Sequence, residues 1–168
     1  MLESPIILIF PLAMAFAAAM DLFTMTIPNR ISILLVATFA IVVYIVAPAW
    51  GVINKHLMIA GIVFVAAVTM FALGWLGGGD AKLLSASSLW IGPDLFVAYL
   101  VYVTLIGGVL ALALLSYRDV AVLPAWITQQ PWALRLHEKN GGMPYGVALG
   151  ASALLMYPQT VWFAALSY

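Results

Sequence analysis

Apolar runs of nearly membrane-crossing length alternate with short polar interruptions along this chain. The runs cover approximately 5–23, 31–50, 57–76, 95–116 and 144–166. Each approaches the roughly 20 residues that a helix needs to cross the hydrocarbon core of a bilayer. A further stretch, 81–92, is apolar but short, and hydropathy alone does not assign it. The longest polar connection, 117–143, carries Arg118, Pro124, Trp126, Pro131, Trp132, Arg135 and the run from His137 to Lys139. Its tryptophans and prolines predict a segment lying on the membrane surface rather than a separate domain. Neither a repeat nor a low-complexity segment interrupts the pattern, so residues 1–168 read as one integral-membrane domain.

Composition agrees and narrows the class. The chain is 66% hydrophobic and 7% charged, whereas a soluble domain carries roughly 25% charge. The fold class read from this is all-α and polytopic. Six Lys and Arg balance six Asp and Glu, which removes the basic field that nucleic-acid binding requires. The absence of cysteine excludes a disulfide framework, a thiolate zinc site and a cysteine nucleophile. No Lys or Arg precedes the first run, which reads as a span rather than a cleaved signal peptide.

Charge placement sets the number of spans. Six spans with an outside N-terminus put Arg30, Lys82, Arg118, Arg135 and Lys139 in cytoplasmic loops and leave Lys55 outside. Five spans place at best four of the six cations inside. The positive-inside rule therefore predicts six transmembrane helices, the fourth short, with both termini outside. A helix from Asp80 to Gly92 rises only about 20 Å, less than the roughly 30 Å core. The short helix is therefore expected to begin below the cytoplasmic surface and to draw Asp80 into the membrane. Asp21 and Asp80 fall on one side whether the spans number five or six.

Those two aspartates are the candidate chemistry. Asp21 ends the first apolar run, and Asp80 follows Gly77, Gly78 and Gly79. An ionisable group in a membrane helix costs roughly 2.5–3.5 kcal/mol on insertion scales and by default marks a functional site. Ala13, Ala17 and Asp21 recur every four residues and share a helix face, whose small residues allow close approach. The three glycines free the backbone to turn and let another chain come near. Two carboxylates converging in a site of low dielectric tend to share a proton. Such a pair can deprotonate a water for attack on an amide carbon and protonate the leaving nitrogen, titrating as a unit. The bland alternatives are a helix cap or interfacial residue for either aspartate, and a plain turn for the glycines.

Other residues have weaker claims. Lys82 points about 200° from Asp80 on a helix and reads either as a snorkelling anchor or as part of substrate binding. Asn29 and Tyr145 offer polar groups on the side of the aspartates. Pro28 and Pro144 read as helix starts. Gly107-Gly108 and Gly146/Gly150 read as close-packing contacts. His56 and His137 fall in opposite predicted loops, which argues against a shared metal site, and no cofactor is expected.

The string Asp21-Leu-Phe-Thr-Met-Thr-Ile27-Pro28-Asn29 resembles the first-aspartate motif of type IV prepilin peptidases. Gly77-Gly78-Gly79-Asp80-Ala81-Lys82-Leu83-Leu84 resembles their GxGD motif with its following Lys-Leu. Leu89-Trp90-Ile91-Gly92-Pro93 and Met143-Pro144-Tyr145-Gly146 are further echoes, in order along nearly the whole chain. The resemblance implies an intramembrane aspartyl endopeptidase with Asp21 and Asp80 as catalytic pair and Gly77 and Gly79 supporting it. It implies cleavage of the leader from prepilin and pseudopilin precursors at the cytoplasmic face of a bacterial inner membrane. Asn29, Lys82 and Tyr145 become candidate substrate-binding residues. Larger family members carry a cytoplasmic domain with paired CxxC zinc motifs that also methylates the product. With a short connection after Asp21 and no cysteine, this chain resembles the compact CpaA/TadV type of Flp (Tad) pilus systems, without that domain. Two rivals stand beside this reading. A proton-coupled transporter needs carboxylates along a path, yet only Asp94 and Glu3 are expected near the outer rim. A non-catalytic assembly subunit needs no ionisable dyad.

Overall fold

A computed structural model of the protein describes residues 5–139 and 141–167. Glu3 lies outside them. Helices are the only regular secondary structure among the described residues. A 3-10 turn, Pro5–Leu8, leads into α1 (Ile9–Thr24), followed by α2 (Asn29–Val46) and α3 (Trp50–Ala72). Left-handed residues end the first two: Met25 at φ 55° after α1 and Ala47 at φ 44° after α2. Pro28 and Ala49, both extended, start the next helix in each case. Among the described residues, four helical stretches are long and apolar enough to cross a membrane: Pro5–Thr24, Asn29–Val46, Trp50–Ala72 and Gly78–Arg118.

The last of these, α4 (Gly78–Arg118), unites two predicted helices around a kink rather than a loop. Gly92 breaks the helix with φ 72° and ψ 170°, and Pro93 follows. Proline has no N–H, so the Leu89 carbonyl loses the partner four residues on that a regular helix would supply. The imidazole of His56 replaces it, with Nδ1 donating to the Leu89 carbonyl at 2.6 Å. Gly92 cannot carry a side chain, because a Cβ there would run into the His56 ring. The short arm, residues 78–91, rises about 21 Å.

His56 therefore departs from its predicted loop. α3 starts at Trp50, earlier than hydropathy indicates, so Lys55 and His56 lie inside it. Lys55 faces outward, while His56 is buried and pairs with the kink. The Trp162 indole also approaches His56 Nδ1, at 3.3 Å. That nitrogen already donates to Leu89, so the indole contact is packing rather than a second hydrogen bond. His137 sits elsewhere, its Nδ1 3.0 Å from the Tyr117 carbonyl.

The predicted span 144–166 is also interrupted. It comprises α7 (Tyr145–Met156), a 3-10 turn Tyr157–Gln159 containing Pro158, and α8 (Val161–Leu166) capped by the Thr160 hydroxyl. The fragments α5 (Ala125–Thr128) and α6 (Pro131–His137) occupy the long polar connection. Arg118 holds that connection by donating to the carbonyls of Leu136, Gly141 and Gly142. α7 is the wedge of the fold, packed against both α1 and α4 and buried around much of its circumference. At Gly150 a Cβ would lie 2.8 Å from the Met14 carbonyl oxygen of α1. Gly108, expected to be a packing contact, instead faces open space among the described residues, with nothing within 4 Å of where a Cβ would lie.

Because His56 supplies a donor to the buried Leu89 carbonyl at the kink, His56→Ala is expected to lower unfolding free energy by about 1–3 kcal/mol. Thermal or denaturant unfolding in detergent micelles measures this, with Gly108→Ala as a near-neutral control.

Candidate active site

The C-terminal end of α1, the turn from α1 to α2 and the start of α4 enclose a cavity of about 300 Å³. Asp21 and Met25 line it from α1, Thr26 and Ile27 from the turn, and Asp80 from α4 beside the glycines. The two aspartates, far apart in sequence, thus face one space.

Their settings differ. Asp21 is 6% exposed, on the same buried face as Ala13 and Ala17. Its Oδ2 accepts a hydrogen bond of 2.6 Å from the backbone N–H of Gly146. Gly146 is the second residue of α7, where a helix leaves its N–H groups without internal partners. Asp21 supplies the missing acceptor from another helix, and its carboxylate faces the positive end of the α7 dipole. Asp80 occupies the first turn of α4, a position from which an acidic side chain can cap its own helix. It does not do so here. No side chain caps this helix, and Asp80 Oδ1 is buried with no hydrogen-bond partner among the described residues.

The glycines matter for proximity more than for turning. Gly77 is extended at φ −66°, and Gly78 and Gly79 begin the helix. The left-handed glycine of this segment is Gly74, at φ 75°. A Cβ at Gly77 would lie 2.7 Å from Asp80 Oδ2, and one at Gly79 3.1 Å from the Ile27 Cβ. At Gly146 it would lie 2.8 Å from Asp21 Oδ2 and 2.9 Å from the Ile27 Cδ1. Ile27 is therefore the plug between the glycine turn and the start of α7, and bare backbone surrounds both carboxylates.

Three sequence candidates lie outside this cavity. Lys82 Nζ donates to Asn29 Oδ1 at 2.9 Å, a pair that lines a separate groove alongside α2. Tyr145 is exposed, and its ring lies toward Gly107 rather than the aspartates. The sequence reading missed the role of Gly146, which it assigned to packing alone. The available signal was Pro144 as a helix start, because a first turn carries free N–H donors.

Two carboxylates lining one small cavity can share a proton and exchange it with a bound reactant. An all-helical, multi-pass membrane protein with such a pair is the class that the fold and cavity define. A family model described as the type IV leader peptidase family matches residues 8–115. The chain belongs to that family and is an aspartic peptidase, a hydrolase of prepilin-type substrates. The matched stretch contains both aspartates and ends before Gly146. No curated protein and no solved structure matches the chain.

Gly146→Ala would drive a methyl group into Asp21. It is expected to lower leader cleavage by about tenfold or more while the protein still inserts, since the displaced carboxylate lines the candidate active site, where a small misplacement is costly. Gly108→Ala, in open space, is expected to leave the cleavage rate unchanged.

Proposed function

We propose that Asp21 and Asp80 are the catalytic dyad of a leader peptidase acting at the cytoplasmic face of a bacterial inner membrane. The observation that carries this reading is that both carboxylates line one cavity at the same end of the helices. One carboxylate takes a proton from water as the water oxygen attacks the scissile carbonyl carbon. The other carboxyl donates a proton toward the substrate, and the leaving nitrogen is protonated as the C–N bond breaks. The Gly146 N–H holds Asp21 in orientation, while the orphaned Asp80 Oδ1 is free to engage reactant or proton.

Charge supports the cytoplasmic assignment and the outside termini. Arg135 donates to the Phe23 carbonyl at the Asp21 end of α1, and Lys82 pairs with Asn29 nearby. Lys55 lies instead on α3 beside His56, at the kink end of the short arm. This asymmetry is the one that the positive-inside rule requires. The tight turn between α1 and α2 and the lack of cysteine support the compact type serving Flp (Tad) pili, with residues 1–168 working as a single peptidase domain. Its substrates would be the prepilin and pseudopilin precursors of that system.

Asp21→Asn and Asp80→Asn are each expected to reduce cleavage of a co-expressed prepilin by about a thousandfold or more. Product size and N-terminal sequence, read alongside membrane insertion of the variant, are the measurements. Cleavage at the unmodified rate in either variant would refute the dyad.

A further inference from the structure

α2 and α3 are consecutive and joined by only three residues, yet they scarcely touch. Each packs instead on α4, which leaves a groove of about 660 Å³ between them. Ile33 and Val36 of α2 and Phe64 of α3 form its walls. Lys82, Ser85, Ala86 and Leu89 line it from the short arm of α4. Their spacing of three, four and seven places them on one face of that arm, away from the face carrying Asp80. The small side chains of Ala37 and Ala60 leave its middle wide.

The groove and the aspartate cavity draw on the same two segments. Ile27 and Asp80 line the cavity, while Asn29 and Lys82, two residues further along the same two segments, line the groove. The lining is apolar except toward this end, where Lys82 pairs with Asn29. Ser32 also lines the groove, and its Oγ is buried with no hydrogen-bond partner among the described residues. An acyl chain filling the groove would offer that hydroxyl no partner. A polypeptide can pair with it through the backbone groups released where a helix begins to unwind.

We propose that this groove, apolar along most of its length, seats an apolar helix of the precursor next to the scissile bond. It delivers the first, unwound residues of that helix past Asn29 and Lys82 to the aspartates. This rests on the leader-peptidase reading and adds a docking site to it. A helical backbone hides its amides, so cleavage needs a firm hold on the helix beside a place where the chain can open. The apolar part of the groove provides the hold, and Ser32, Asn29 and Lys82 stand where released backbone groups need partners.

Two measurements test the site. A benzophenone photo-crosslinker at Ala37, introduced into the Asp80→Asn protein, is expected to capture co-expressed precursor. The same probe at Val109, exposed on the outer side of α4, is expected not to. Capture of lipid alone at Ala37, or equal capture of precursor at both positions, overturns the proposal. In the active protein, Ala37→Trp is expected to raise KM for the precursor about tenfold, with kcat changed less than about twofold. Val109→Trp is expected to change neither. An unchanged KM for Ala37→Trp, or a loss confined to kcat, also overturns the groove. Failure of the unmodified protein to cleave any precursor would instead overturn the leader-peptidase reading, and the same assay reports it separately.

Discussion

The hydrogen bond from the Gly146 N–H to Asp21 ties the end of the first helix to the start of α7, across 125 residues of chain. Both groups are buried, so neither could be left unpaired cheaply. Satisfying both at once requires α1 and α7 to approach at backbone distance. The approach is made by glycine at two successive turns of α7, Gly146 against Asp21 and Gly150 against the Met14 carbonyl. With α7 so fixed against α1 and packed on α4, Ile27 is trapped between Gly79 and Gly146. That plug brings the glycine turn, and Asp80 with it, to the wall of the cavity.

The kink in α4 is the second constraint. A straight helix of 41 residues would far exceed the bilayer, and Gly92 with Pro93 divides it into a short and a long arm. The break orphans the Leu89 carbonyl, and His56 on α3 repairs it. One side chain thus offsets the cost of the bend and anchors the kink end of the arm whose other end bears Asp80. The short arm then shows two faces, one toward the cavity and one toward the groove between α2 and α3.

In the proposed mechanism the unequal settings of the aspartates are useful. Asp21 is oriented by a backbone donor, which keeps one oxygen engaged and the carboxylate in place. Asp80 has a buried oxygen without a partner among the described residues, so its carboxyl is not committed to capping its own helix. A dyad built this way holds its geometry through backbone and glycine rather than through other polar side chains, which are scarce in so apolar a chain.

Much of this was legible in the residues themselves. Composition and run length determined an all-helical membrane protein, and the four-residue recurrence of Ala13, Ala17 and Asp21 determined which face of α1 turns inward. The glycine triplet marked a close approach, though not its reason, because the obstacles at Gly77 and Gly79 are a carboxylate and a neighbouring isoleucine. What hydropathy misjudged were the places where a distant partner pays for a polar group. His56 sits inside α3 because Leu89 needs a donor, and the last apolar run breaks at Pro158 although its composition is continuous. The bond between Asp21 and Gly146 was invisible for the same reason. Helix period and apolar length are local properties of a chain, whereas the partner of a buried polar group is chosen by helices that only packing brings together.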